Sequence, residues 1–400
     1  MNVPFSPPDI GEQEIAAVTD ALRSGWITTG PRTKEFEKRI AAYVHADRAI
    51  CMNSATAAME MALRMLGVGE GDEVITCAYT YTATASVIHH VGAKIVLVDT
   101  APDSFEMDYR KLADAITPRT KVVMPVDIAG KMADYDTIYQ VLEEKKHLYQ
   151  PKSEMQMLFD RPIVLADSAH GFGASYHGLH SGEAADFTAY SFHAVKNLTT
   201  AEGGALAWKA RAGLNSDDIY QQLNLLCLHG QSKDALAKTG LGAWEYDIKS
   251  LAYKNNMTDI TAAIGLVQLD RYDDLVARRH EIVRRYDEAL LPCGVKTRDH
   301  FEDGYFSNCH LYLCRVPNCS VDRRNRLITY MAEQGIACNV HYKPLPMMSA
   351  YQALGFRIED FPMAYRQYSN EITLPLHTLL TDEQVQYTID NFKTALDVVK

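Results

Sequence analysis

The chain has 400 residues, 47% hydrophobic and 23% charged, which is enough for two or three packed domains and a sizeable buried core. Its formal net charge of −11 argues against a nucleic-acid or anionic-membrane surface, because an acidic chain is not drawn to phosphate. The opening "MNVPFSPPDIGEQE" lacks a basic stretch followed by an apolar one, and no window approaches about 18 uncharged apolar residues, so a cytoplasmic protein without membrane contact is expected.

From about residue 48, short β-rich runs alternate with helical ones. "RAICMN" precedes "TAAMEMALRML", "EVITCA" precedes "TATASVIHHV", "KIVLVD" precedes "YRKLADAI", "KVVMPVD" precedes "YDTIYQVLEEKK", and "PIVLAD" precedes a loop. Such alternation needs crossover connections, so it predicts an α/β fold with a mostly parallel sheet covered on both faces. Active sites in such sheets collect at the carboxyl ends of the strands. "FTAYSFHAVKN", a Gly pair and the strand-like "ALAWKA" come next, and from Thr258 an amphipathic pattern of helical period predicts a spine of one or more helices. Beyond about residue 294, strands such as "HLYLCRV" and "ACNVHY" mix with helices such as "RRNRLITYMAEQG", as in a smaller α+β domain. The expected division is therefore an N-terminal arm with a large domain over 1–255, and a spine helix with a small C-terminal domain over 256–400. The stretch between Ile138 and Ile163 is longer than one helix and a turn require and reads as an exposed insertion.

Eight cysteines are scattered through apolar segments with no Cys-x-x-Cys. Cys309, Cys314 and Cys319, with His310 beside the first, approach a zinc set, but no second ligand pair follows at zinc spacing. They are expected to be small buried hydrophobes, and no metal is expected.

The strand ends carry the chemistry. After "RAICMN", Ser54, Ala55 and Thr56 open a helix, where free amides and the helix dipole favour an anion such as phosphate. After "EVITCA", Tyr79 and Tyr81 offer aromatic faces, and after "PIVLAD", Asp167 ends a buried strand just before His170. Ser191, His193 and Lys196 follow in "SFHAVKNLTTAEGG". Taken singly, each has a plainer reading: an N-cap serine, rim tyrosines, a turn-capping aspartate, a solvated lysine. Taken together on one sheet edge, they supply an anion hole, a stacking face, a counter-charge for a pyridinium nitrogen and an amine for a Schiff base, the four needs of pyridoxal 5'-phosphate.

The ordered segments "SGWITTGPRTKEFE", "NSATAAMEMAL", "GDEVITCAYTYTATA", "PVDIAGKMADYDTI", "ADSAHGFGASYHG", "SFHAVKNLTTAEGG", "YKNNMTDITAAIGLVQL", "NVHYKPL" and "ITLPLHTLLTDEQV" resemble the DegT/DnrJ/EryC1/StrS sugar aminotransferases over nearly the whole chain. The resemblance implies a fold-type-I, aspartate aminotransferase-like architecture and pyridoxal phosphate as cofactor, with pyridoxamine phosphate as its aminated form. It makes Lys196 and Asp167 the catalytic pair. Ser54, Ala55, Thr56 and Ser191 would hold the phosphate, Tyr81 would stack on the ring, and His170 would lie near its phenolic oxygen. Lys254 in "YKNN" would reach the site of a partner subunit, which implies a homodimer with composite sites. Trp26, Thr28 and Thr29 of "SGWITTGP", with His341 and Tyr342, would meet the substrate. The implied reaction moves an amino group from L-glutamate, leaving 2-oxoglutarate, to a nucleotide-linked keto sugar, a 4-keto sugar in particular, in amino-sugar, surface-polysaccharide or natural-product biosynthesis. Alternatives are a sugar-nucleotide dehydratase of the same family, whose known members replace the lysine by histidine, and a non-catalytic regulatory relative. Departures from the resemblance are Ala55 and Ala201 where many members carry glycine, Met132, Asn255 in place of an aromatic, and the insertion.

Overall fold

The computed structural model describes residues 1–232 and 245–399. Two helices, α1 (Glu12–Arg23) and α2 (Pro31–Tyr43), precede the alternating series β1 (Arg48–Met52), α3 (Ala55–Met65), β2 (Glu73–Cys77), α4 (Thr82–His90), β3 (Lys94–Val98), α5 (Tyr109–Ala115), β4 (Thr120–Met124), α6 (Tyr135–Lys145), α7 (Glu154–Met157) and β5 (Ile163–Asp167). A hairpin of β6 (Ser175–Tyr176) and β7 (Leu179–His180) and the single turn α8 (Ser181–Ala184) lead to β8 (Phe187–Ser191), β9 (Gly204–Trp208) and α9 (Ser216–Cys227). Helices α10 (Asp259–Asp270) and α11 (Tyr272–Leu290) connect to β10 (Lys296–Thr297), β11 (Tyr305–Phe306), β12 (Tyr312–Arg315), α12 (Val321–Glu333), α13 (Ser349–Ala353), α14 (Pro362–Asn370), β13 (Glu371–Leu374) and α15 (Asp382–Val398).

Seven strands form the main sheet in the order β1-β9-β8-β5-β4-β2-β3. Strands β3, β2, β4, β5 and β8 run parallel, while β9 is antiparallel to both β8 and β1. Two reversals restore the direction, so β1 points the same way as β8. The carboxyl ends of β1, β2, β4, β5 and β8 therefore share one edge. Every residue of β2, β4, β5 and β9 is buried, which is why these strands read as continuous apolar runs rather than alternating ones.

The apolar side chains gather in three clusters. The largest lies on the sheet under α3 to α6, and a second joins α2 and α10 to β1, β8 and β9 through Phe36, Phe192, Met257 and Tyr272. The third packs α11, α12 and α15 on the sheet of β10, β12 and β13. Val3 belongs to this third cluster, pairing with Ile336 through Val3 N to Gly335 O at 2.8 Å and Ala337 N to Val3 O at 3.0 Å. The N-terminal arm thus crosses from the large sheet to the second lobe.

The predicted spine breaks at Arg271, whose guanidinium turns back onto Asp9 and Glu14. "ACNVHY" is not a strand. Only Asn339 pairs across to Thr373, because side chains take the next backbone donors: Val340 N–H binds Asn339 Oδ1 at 2.8 Å, and His341 N–H binds Glu371 Oε2 at 2.8 Å. The 138–163 insertion is only partly exposed. Gln156 and Phe159 are buried, Lys121 Nζ binds the carbonyls of Pro118 and Gln150, and Ser153 Oγ and Gln156 Nε2 both donate to Leu66 O, at 2.8 and 2.9 Å. The segment closes the carboxyl end of α3, where unpaired carbonyls need donors. Six cysteines are buried, as expected of small hydrophobes, with Cys293 exposed and Cys338 half-buried.

Asp259 is fully buried and caps α2 from another helix. Its Oδ1 accepts from Gly30 N at 2.8 Å, Thr33 N at 2.9 Å and Thr33 Oγ1 at 2.7 Å, and its Oδ2 from Arg32 N at 3.1 Å. Asp259→Ala strands these donors in the interior and should destabilise the protein by about 2–3 kcal/mol, a lower midpoint in urea unfolding, with Asp259→Asn losing less. A midpoint unchanged by Asp259→Ala would refute this role.

Candidate active site

One cavity of about 380 Å³ opens at the shared carboxyl edge of the sheet. The loop after β1 contributes Ser54, Ala55 and Thr56, that after β2 Thr80 and Tyr81, that after β4 Val126 and Asp127, that after β5 Asp167, Ala169 and His170, and that after β8 Ser191, His193 and Lys196. The second lobe and the arm close the other side with Phe5, His310, His341 and Tyr342. Ten of the residues expected in a site lie here, from segments far apart in the chain.

Each is held for a local reason. Ser54 caps α3, accepting from Ala57 N at 3.0 Å and donating to Asn53 Oδ1 at 3.3 Å, so its hydroxyl is engaged by the protein itself. Among the described residues the amides of Ala55 and Thr56 have no acceptor, so they remain to bind a ligand. Strand β9 comes very close here: a Cβ on Gly204 would lie 2.4 Å from Ala55 N, so only glycine fits. Ala201, where glycine was expected, takes the left-handed φ of 68° that glycine favours, held by Thr199 Oγ1, which accepts from its N–H at 2.9 Å.

Asp167 is 5% exposed, and its Oδ2 accepts from Thr84 Oγ1 at 2.6 Å while its Oδ1 accepts from Ala169 N at 3.2 Å. Burial pushes its carboxyl above the usual range, against these bonds and the nearby Lys196 charge. Lys196 follows β8 in a turn closed by Lys196 N to His193 O at 2.9 Å. Its side chain is half-buried over its whole length, but withdrawal of the amine from water pushes its pKa down to about 8, with Asp167 opposing the shift. The pair faces one cavity, each softening the other's cost of burial.

Three histidines stay neutral in the wall. Burial, with the Lys196 charge nearby, holds His170 and His310 well below the usual range and His341 at about 4. Ala129 N–H donates to His170 Nδ1 at 3.2 Å, so the proton sits on Nε2, which reaches Tyr342 Oη at 3.1 Å. His341 stacks on Phe5 with ring centroids 5.7 Å apart. Tyr81 is 60% exposed at the cavity rim, its ring 6.0 Å from that of Tyr342.

Four expected residues are not in this cavity. Trp26 lies against Gly30 with Nε1 donating to Thr29 O at 3.1 Å, and Thr28 is exposed, its carbonyl accepting from Asp259 N at 3.0 Å. Thr29 is buried and donates to Met257 O at 2.5 Å, so its hydroxyl is engaged by the protein itself. Lys254 is exposed and contacts Asn256 Oδ1. His310, Phe5 and Asp127 were missed as site residues. His310 follows no apolar strand end, and Phe5 reaches the cavity only because the arm crosses between lobes. Asp127 alone had a signal, closing "KVVMPVD" as Asp167 closes "PIVLAD". Its carboxyl is pushed up to about 6 by burial, and its Oδ1 accepts from Ala133 N at 2.9 Å and Tyr135 Oη at 3.0 Å. His193 stands at the cavity mouth, 3.7 Å from Glu202. Among the described residues no group of His, Cys, Asp and Glu is placed to hold a metal ion.

The sequence pattern of the DegT/DnrJ/EryC1/StrS aminotransferase family matches residues 8–393. Spore coat polysaccharide biosynthesis protein SpsC of Bacillus subtilis is 38% identical, over 100% of this chain and 97% of its own. Among solved structures, Spr1654 of Streptococcus pneumoniae, labelled a sugar aminotransferase, superposes in its PMP form with a TM-score of 0.98 at 53% identity, covering 100% of both chains. Its PLP form superposes at 0.97. Helicobacter pylori PseC, an aminotransferase in pseudoaminic acid biosynthesis, superposes at 0.86 with 26% identity, over 99% of this chain and 100% of its own. The parallel sheet, the strand-edge lysine and these likenesses agree on fold type I, and this chain belongs to the DegT/DnrJ/EryC1/StrS aminotransferase family.

Proposed function

We propose that the protein is a pyridoxal phosphate-dependent aminotransferase that passes an amino group from L-glutamate to a nucleotide-linked keto sugar, in particular a 4-keto sugar. The observation that carries the reading is the convergence of Lys196, Asp167 and the unpaired α3 amides on one cavity. These residues fit the cofactor. The Ala55 and Thr56 amides with Ser191 would hold its phosphate at the positive end of α3, and Asp167 would pair with its ring nitrogen. Tyr81 would cover one face, and His170, whose Nε2 meets Tyr342 Oη at 3.1 Å, would lie near the cofactor's phenolic oxygen. Bound there, pyridoxal phosphate supplies the electron sink that makes an amino acid's α-hydrogen acidic and carries the amino group between half-reactions.

Lys196 would hold the cofactor between turnovers, and its freed amine would take a proton from the donor's α-carbon in one half-reaction and give one to the sugar carbon in the other. A pKa near 8 keeps a useful fraction of that amine neutral, as a base must be. Asp167 would keep the ring nitrogen charged. Lys254, exposed beside Leu251 and Tyr253, would complete the site of a second copy, and Trp26 and Thr28 would line the sugar cleft.

Purified protein carrying the cofactor should show a visible absorption band that disappears on adding L-glutamate. Lys196→Ala should lower turnover by on the order of 10⁴-fold and Asp167→Asn by about 10- to 100-fold, each measured against UDP-, dTDP- and GDP-linked keto sugars with products identified by mass and NMR. Turnover by Lys196→Ala at the wild-type rate would sink the assignment. Only the neutral amine attacks the cofactor aldehyde. The rate at which cofactor-free enzyme takes up pyridoxal phosphate should therefore rise with pH through one inflection near 8 and level off above it, followed in the visible band. An inflection near the ordinary lysine value would show that the cavity does not desolvate Lys196.

A further inference from the structure

His310 enters the cavity from the second lobe, directly before β12, and is held from several sides. Its N–H binds Ala129 O at 3.0 Å, its carbonyl accepts from the buried Arg279 Nη1 at 3.2 Å, and its ring lies 4.3 Å from that of His170. Its Nδ1 is 2.8 Å from Asn197 Oδ1. Asn197 cannot be turned round, because its Nδ2 donates to the carbonyl of Asn308 at 2.8 Å, and a carbonyl accepts only. The oxygen therefore faces His310, so Nδ1 carries the proton. In the neutral ring that leaves Nε2 with a bare lone pair. Among the described residues Nε2 has no partner, and it is not among the polar atoms closed off from space. His170, with Nδ1 accepting from Ala129 N–H, has the opposite tautomer. Two adjacent neutral histidines thus present one donor and one acceptor.

We propose that His310 is a ligand-contacting residue whose Nε2 accepts a hydrogen bond from a hydroxyl of the sugar substrate, with Asn197 as the positioning residue that fixes its tautomer. This rests on the reading of the site as a sugar aminotransferase. Two reactants share one cavity in such an enzyme, and a lone pair favours one of them. The glutamate side chain brings carboxylate oxygens, which only accept, and its amine is consumed at the cofactor. The sugar is the reactant rich in O–H donors. Asn197, the residue that fixes the tautomer of His310, immediately follows Lys196, so the positioning amide and the reacting amine share one short stretch of chain.

The test is done on the holoenzyme. His310→Phe keeps the ring and removes the acceptor, so the ratio of the sugar half-reaction to the L-glutamate half-reaction, each as kcat/KM in single turnover, should fall about tenfold, mostly through KM for the sugar. His310→Gln, which restores an acceptor, should recover part of the loss. An equal loss in both half-reactions would reduce His310 to packing and overturn the proposal. Independently, NMR of ¹⁵N-histidine-labelled holoenzyme, with the His310 signal assigned by its loss in His310→Phe, should show a protonated Nδ1 and a bare Nε2. Asn197→Leu should release the ring to the other tautomer. A protonated Nε2 in the wild type overturns the proposal whatever the kinetics. If the wild type aminates no keto sugar of the panel, the functional reading falls and the hydroxyl contact with it, while the NMR signal still decides whether Asn197 sets the acceptor.

Discussion

A carboxylate buried at the end of a strand that is covered on both faces is the constraint on which the site depends. Among the described residues Asp167 has one hydroxyl and one amide as partners, from a helix and a tight turn. Thr84 lies in the first turn of α4 and Ala169 in the turn that follows β5. Two such donors do not replace the water an ionised carboxylate gives up, so Asp167 retains a demand for positive charge on its open side. Lys196 faces the same space with the opposite demand. The sheet order sets this tension, since β5 pairs directly with β8 and the loops after both strands leave from one edge.

The second lobe makes the edge into a chamber. Without Phe5, His310, His341 and Tyr342, the strand ends would form an open rim exposed to water, where charges interact weakly. These residues arrive by long-range ties. The arm is pinned by Val3 in the core of the second lobe, and the 307–310 stretch is stitched to the 127–131 turn through Ser307 Oγ to Gly130 O at 2.9 Å and His310 N to Ala129 O at 3.0 Å. Asp259, buried between α2 and α10, does similar work behind the sheet, supplying to one helix the cap that its own Gly30 cannot.

Helix α3 shows how the two ends of one element serve different purposes. Its first amides stay unpaired and open to the cavity, while the carbonyl of its C-cap Leu66 accepts from both Ser153 and Gln156 of the inserted segment. The insertion thus sits at the opposite end of α3 from the cavity.

Much of the large domain was legible because its signals are local. Buried parallel strands must be apolar along their whole length, so "EVITCA", "KVVMPVD" and "PIVLAD" identify themselves, and polar residues just beyond them mark the carboxyl edge. Ser54, Tyr81, Asp167, His170 and Lys196 follow from that rule together with the family resemblance. The residues missed or misjudged depend on partners distant in sequence. In "ACNVHY" the amide of His341 is taken by Glu371, 30 residues on, and the Thr29 hydroxyl is taken by Met257 O, 228 residues on. The tautomers of His170 and His310 depend on Ala129 and Asn197, 41 and 113 residues away. The sequence by itself determined which strands are buried, where their ends fall and which amine and carboxylate meet there, because apolar periodicity is a property of neighbours along the chain. Only the tertiary structure decided which groups remain unpaired at the site, because beside local bonds such as Ser54 to Ala57 the partners of Asp167, His170 and His310 include Thr84, Ala129 and Asn197, which arrive across the fold.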